Sequence, residues 1–312
     1  MIISFTKINL FGGLFLYLCA MKIIVIGGAN IDISATTAGP FVARDSNPGT
    51  VRTAPGGVGR NIAHNLALLG DQVKLITIFG DDGFGRMLRD SCKALGIDTS
   101  LSETRRGARN ACFVSLCGSD GELLGGVADM AVTGLMTPEW LESRLTEINR
   151  ADAVVADANI PADTLSFLVG SCLPPLYIDA VSSAKVARLR EALHATRLQG
   201  DKVFAVKCNR LEAEVLLPQD GSFDSKIQRL YVSMGSEGVI IREDGEQKQI
   251  PALSVTGIVN ATGAGDALLA GIVHAGPDAS AEDAARFGQE CARCSLMSPD
   301  AVSDKIRQLV KI

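Results

Sequence analysis

The sequence has no block of lysine or arginine anywhere, and its formal net charge is -5. A chain that grips a nucleic-acid backbone clusters basic residues on one face; no nucleic-acid partner is therefore expected, and the partner should be small. Histidine is scarce: His64, His194 and His274 each stand alone in a helical pattern, which suits a core-edge or solvated role rather than proton transfer. The eight cysteines follow no framework spacing, which argues against a disulfide scaffold and for a reducing, cytoplasmic compartment. The one C-x-x-C, Cys291 with Cys294, lacks a second pair or a histidine cluster, so two small residues buried on one helix face are expected there, not a metal site. A G-x-G-x-x-G is also missing; "GGAN" at 27–30 lacks the spacing, which removes a dinucleotide-dependent dehydrogenase.

Long apolar runs are lacking too. The first twenty residues carry one basic residue, Lys7, and a stretch broken by Gly12 and Gly13. That is a weak secretory signal and too short for a comfortable membrane span. The strand-like "MKIIVIGGANIDI" starts at Met21, so residues 1–20 are expected to lie outside the fold and no membrane partner is expected. Residues 21–312 are expected to form one domain.

What is present is a series of short Val/Ile-rich runs: 22–27, 73–80, 152–157, 175–180, 202–207 and 230–235. Runs without apolar/polar alternation suit strands covered on both faces, hence an α/β fold with a largely parallel sheet between helix layers. "NIAHNLALLG" puts Ile62, Leu66 and Leu69 on one stripe and stops at Gly70. Thr137 and Pro138 read as the cap and first residue of another helix, with Trp140 as its anchor. Segments 31–53 and 104–130 have no helical period; "NACFVSLCGSDGELLGGV" reads as a hairpin turning near Asp120-Gly121. Together they are expected to form a small β lid.

The chemistry concentrates in "NATGAGDALLAG", 260–271. Gly263, Ala264 and Gly265 let backbone approach a ligand, and the following helix start presents free N–H groups that suit an anion. Asp266 beside them carries the wrong sign to hold an anion, but fits a base that takes a proton from an attacking hydroxyl. Read alone, the stretch is more commonly a tight turn with a capping aspartate. Three further motifs accompany it. "APGGVGRNIAHNLALLG" and "GGANIDI" offer Asn30, Asp32 and Asn61 to sugar hydroxyls, "KCNRLEAE" places Asn209 and Glu212 three apart where they could order Mg²⁺-bound waters, and "SMGSEGV" is a glycine turn off a strand end suited to a nucleotide. Asp157 and Asp179 end strands and could face ligand or cap helices.

In this order and spacing the motifs resemble the ribokinase-like (PfkB) family of carbohydrate kinases, from Met21 onward. The resemblance implies a ribokinase-like three-layer α/β/α core with a small β lid. It also implies Asp266 as catalytic base with Gly263, Ala264 and Gly265 as anion hole, and Asn30, Asp32, Gly57, Asn61 and Asn159 around the ribose. Asn209 and Glu212 would serve Mg²⁺ and phosphate, Glu212 through water; Ser233, Gly235 and Gly238 would line the ATP site; Asn47, in "SNPG", would help read a nucleobase. The stretches "NIDI", "RDSNPG", "KCNRLEAE" and "NATGAGDA" are most similar to members that phosphorylate the 5′-hydroxyl of pseudouridine. A homodimer through the lid is implied as well.

Departures from the family pattern bear on these expectations. Asn260 replaces the usual aspartate, which touches the monovalent cation (K⁺) site, and Cys208 stands where proline is common. The short linker 216–230 leaves no room for a helix the family carries, so part of a sheet face near the nucleotide should be bare. Another sugar or nucleoside kinase of the family, or a nucleoside-binding protein without efficient transfer, stays open at this point.

Overall fold

The computed structural model describes residues 6–10, 14–18, 20–195, 203–217 and 226–310. Strands β1 (Thr6–Leu10) and β2 (Leu14–Leu18) pair with each other in a sheet of their own. The chain then alternates strand and helix. β3 (Lys22–Ile26) runs into β4 (Asn30–Thr37) and β5 (Gly49–Gly56), then α1 (Val58–Leu68), β6 (Gln72–Ile76), β7 (Ile78–Gly80), α2 (Gly83–Ala94), β8 (Glu103–Arg105), β9 (Cys112–Cys117) and β10 (Leu123–Asp129). After short helices α3 (Pro138–Glu142) and α4 (Leu145–Ile148) come β11 (Ala153–Asp157), α5 (Ala162–Ser171), β12 (Leu176–Asp179), α6 (Ser183–Ala195), β13 (Val203–Asn209) and α7 (Arg210–Leu216). β14 (Ile227–Ser233), β15 (Val239–Glu243), β16 (Glu246–Ile250), α8 (Ala264–His274) and α9 (Ala281–Leu296) complete it.

Eight strands form the central sheet in the order β16-β15-β14-β13-β12-β11-β3-β6. From β6 to β14 the pairs are parallel, and β15 and β16 close the edge antiparallel. The inner strands are buried along both faces, β11 and β12 at every residue, because helices cover each side. Ile62 and Leu66 of α1 pack with Leu268 and Leu269 of α8 on one face, and Leu165, Leu189 and Leu216 of α5, α6 and α7 pack on the other. The expected three-layer α/β core is what forms.

The lid is a second sheet, ordered β10-β9-β4-β5. Its hairpin turns at Gly121, whose φ of 83° is the left-handed conformation a tight turn requires. Two boundaries differ from the sequence reading. Residues 73–80 are two strands: β6 joins the main sheet, but past Thr77 the chain peels off and β7 pairs with β8 instead. Residues 104–105 therefore belong to that small pair and not to the lid. The β15–β16 hairpin, turning at Asp244-Gly245 with positive φ, was not anticipated.

Residues 218–225 of the short linker lie outside the described residues. The sheet face expected to be bare beside it is not bare at β14, where Ile227, Leu230 and Val232 are buried in the cluster shared with α6 and α7. Thr137 caps α3 by accepting from Trp140 N–H, and the Trp140 ring is held by Glu103 and covered by Arg144. Cys291 and Cys294 are buried on α9 against Leu69 and Phe287. His274 is buried and paired, its Nδ1 2.7 Å from Asp71 Oδ2. No helix among the described residues is long and apolar enough to cross a membrane.

Candidate active site

Asp266 is the third residue of α8, and it does not cap the helix. The cap is Gly263, in the left-handed conformation with φ 81°, and no side chain satisfies the first turn. Ala264 N–H reaches the carbonyl of Ala261 at 3.4 Å, while the N–H groups of Gly265 and Asp266 are left for a ligand at the positive end of the helix dipole. A side chain on Gly263 would begin 2.0 Å from the carbonyl oxygen of Ala301, so the turn is closed to any other residue. Gly263→Ala is expected to cost about 1–2 kcal/mol for the backbone alone, plus the clash, read as a fall in thermal midpoint.

The Asp266 carboxylate turns instead toward α1, where its Oδ2 accepts a hydrogen bond of 2.9 Å from Asn61 Nδ2. Burial, reinforced by the neighbouring carboxylate of Asp179, pushes the Asp266 carboxyl up to about 7, against the opposing pull of Lys207 and Asn61. A carboxyl group held there is suited to exchanging a proton near neutrality. Lys207, near the end of β13, is the buried cation of this cluster. Its Nζ lies 3.1 Å from Asp179 Oδ2, and a Cβ on Gly265 would fall 2.5 Å from it. Burial by itself would lower the Lys207 pKa, but Asp179, Asp266 and Glu212 outweigh it and hold the ammonium above its usual value.

On the lid side, Asn30 and Asp32 stand two apart on β4 and so share a face, with Asn30 Nδ2 donating to Asp32 Oδ1 at 2.7 Å. Burial raises the Asp32 carboxyl above its ordinary value despite Asn30 and Arg60. Gly57, with φ 98°, packs on the backbone of Gly28 and Asn30 and starts α1. Asp157, fully buried, ties this corner together: its Oδ2 accepts from the N–H groups of Gly28 (2.9 Å) and Gly59 (2.7 Å). It caps the first turn of α1 from a distance and faces backbone. Its Oδ1 accepts from Asn159 N–H, and Asn159 Oδ1 accepts from the ammonium of Lys185. Asn30, Asp32, Gly57, Asn61, Asn159 and Asp266 are thereby brought into one contiguous region. Asn47 is apart from it, in the exposed loop between β4 and β5, its amide engaged by Val42 and Asp45.

On the other side a cleft of about 640 Å³ opens between the β14–β15 turn and α9. Ser233, Gly235 and Gly238 line it with Val239, Val255 and Leu268, and it reaches Ala264 and Gly265 at the start of α8. Asn209 and Glu212 form a capping box on α7: Asn209 Oδ1 accepts from Glu212 N–H, and Glu212 returns both carboxylate oxygens to Asn209. Asn209 pairs in register with Ser233 and so adjoins the cleft. Asn260 is neutral and committed, accepting from Thr262 N–H and donating to the carbonyl of Pro299.

The family model for pfkB family carbohydrate kinases matches residues 20–307. The chain belongs to this family. As a pfkB-family carbohydrate kinase it is a phosphotransferase with an alcohol acceptor, acting on a sugar or nucleoside. It is 32% identical over 288 residues to the pseudouridine kinase of Escherichia coli K12, covering 88% of this chain and 90% of that one. Among solved structures it is similar to a carbohydrate kinase from Agrobacterium tumefaciens (28% identity, TM-score 0.78, 93% and 96% of the two chains). It also shares the fold of Arabidopsis thaliana ribokinase complexed with ribose and ATP (20% identity, TM-score 0.79, 94% and 99%).

Lys207, Arg60, Gln289 and Arg293 lie in or around this region, and motif reading does not single them out. Lys207 left one signal, a lone cation inside an otherwise apolar strand. Gln289 and Arg293 line the cleft from α9, and nothing local in the sequence marks them.

Proposed function

We propose that this kinase transfers the γ-phosphoryl group of ATP to the 5′-hydroxyl of a nucleoside, with pseudouridine as substrate. The observation that carries the reading is the position of Asp266: a buried carboxylate, shifted toward neutrality, in the first turn of a helix start without a side-chain cap and hydrogen-bonded to Asn61 of the α1 motif. In this reading Asp266 accepts the proton of the attacking hydroxyl. The N–H groups around Gly263, Ala264 and Gly265 stabilise charge on the transferring group, as preorganised donors do without reorganising during reaction. Asn30, Asp32, Gly57, Asn61 and Asn159 orient the ribose, and Asn47 holds the lid loop near the base. ATP fits the cleft at Ser233, Gly235 and Gly238, which ends at that helix start.

Mg²⁺, when bound, neutralises phosphate charge and holds the polyphosphate in place. Both oxygens of Glu212 already accept from Asn209, so the pair fits an outer-sphere role through water rather than direct ligation. The neutral, committed Asn260 argues that a monovalent cation such as K⁺ is not strongly held at that loop. Residues 21–312 act as one catalytic domain in this reading, in the cytoplasm, and the exposed Val51, Val114 and Val127 on the lid suit pairing of two lids in a homodimer.

The similarity to a pseudouridine kinase supports the choice of nucleoside. Incubation with ATP and pseudouridine, uridine, adenosine, ribose or fructose 6-phosphate tests it: pseudouridine should give the highest kcat/KM. Turnover of another member alone would reject the substrate, and nucleoside uptake in calorimetry without ATP consumption would reject transfer itself.

A further inference from the structure

Arg60, two residues into the α1 motif, is a buried guanidinium whose hydrogen bonds among the described residues all go to neutral oxygens. Nη1 reaches the carbonyl of Pro55 at 3.2 Å and Asn61 Oδ1 at 3.2 Å, Nη2 reaches Ser91 Oγ at 2.9 Å, and Nε has no partner. A cation buried without a contacting carboxylate is costly, and α1 could close on a neutral residue just as well. What the charge does is visible one residue on. A carboxamide has a donor end and an acceptor end; with Asn61 Oδ1 held by the guanidinium, Nδ2 must face the other way, and there it meets Asp266 Oδ2. A flipped Asn61 would set oxygen against carboxylate.

We infer that Arg60 is a positioning residue for phosphoryl transfer: it locks the Asn61 carboxamide in the one orientation that donates to Asp266. The inference rests on the reading of Asp266 as base. The other charged and titratable groups in reach are Asp32 from β4, Cys92 from α2 and His64 from α1 around Arg60, and Asp179, Lys207 and Asp157 from β12, β13 and β11 around Asp266. Pro55 lies at the foot of β5, so the same guanidinium joins the lid root, α2 and the partner of the base.

The test is a double-mutant cycle with Arg60→Met and Asn61→Ala, following kcat/KM against pH. Arg60→Met should lower kcat/KM by roughly ten- to a hundredfold, the worth of one hydrogen bond to a charged group, and Asn61→Ala, which also loses its ribose contact, by at least as much, with the acid limb displaced to higher pH in both and KM for ATP unchanged. The double variant should be no worse than Asn61→Ala alone, because Arg60 acts only through Asn61. Losses that multiply, or an acid limb that stays in place in Arg60→Met, would overturn the inference. If Arg60→Met fails to fold, Arg60→Lys serves: it keeps a cation without the fork, and should show a smaller displacement of the same limb. Asp266→Asn run alongside separates the two claims. An active Asp266→Asn defeats the base; an inactive one with unshifted limbs in the Arg60 variants defeats only this inference.

Discussion

Asp266→Asn is expected to lower kcat by about 10²- to 10⁴-fold, the range for a lost general base, while nucleoside affinity by calorimetry stays within a few-fold. The amide keeps the shape and can still meet Asn61, but it cannot take a proton. In the parent enzyme, kcat/KM should fall as pH drops through about 7, because the base works only when ionised. The same shift has a signed consequence for stability. The folded-state pKa is raised above the ordinary value of 3.8, so the native state binds the proton more tightly than the unfolded chain. The protonated form is therefore favoured below about 4, and that advantage is lost as pH rises through about 7. Relative to the parent, Asp266→Asn should gain thermal stability at pH 8 and gain least at pH 4. A variant that is inactive but less stable at pH 8 would mean that Asp266 holds the fold together rather than the chemistry.

Lys207→Met should be the most destabilising single change in the site. It removes the cation and leaves Asp179 and Asp266 buried together, and breaking such a pair from one side costs about 3–5 kcal/mol. Urea unfolding should show the loss, and it should be smaller at pH 5.5 than at pH 8, since Asp266 takes up a proton more readily once its counter-charge is gone. Combining Lys207→Met with Asp179→Asn should recover part of the stability. If the combined variant is no better than Lys207→Met alone, the carboxylates are not the source of the cost. Surviving activity should show its acid limb at higher pH.

The sheet could be read from the sequence because strands covered on both faces leave uninterrupted apolar runs, and Gly70 and Thr137 marked helix ends through local backbone chemistry. The β15–β16 hairpin escaped because β16, "EQKQI", is an exposed edge strand whose polar residues look like loop; the Asp244-Gly245 turn was its signal. Residues 73–80 read as one strand because pattern reports burial and not which neighbour a strand pairs with. At the site, glycine motifs and Asp266 were legible as local stretches. Lys207 beside Gly265, and Arg60 behind Asn61, were not, since their meaning lies in contacts across the fold. The Asn-x-x-Glu pair is a capping box by geometry, and the outer-sphere role proposed for it rests on its place beside the cleft.

The hydrogen bond from Asn61 to Asp266 joins residues 205 positions apart, and Asp157 reaches back 129 and 98 positions to Gly28 and Gly59. Closing loops of that length is slow compared with local helix formation. During synthesis the corner that Asp157 ties together must wait for β11 to emerge, and Asp266 arrives only with α8, more than a hundred residues later. On the proposed roles, nascent chains stopped between those two points would hold a sugar without the means of phosphorylating it.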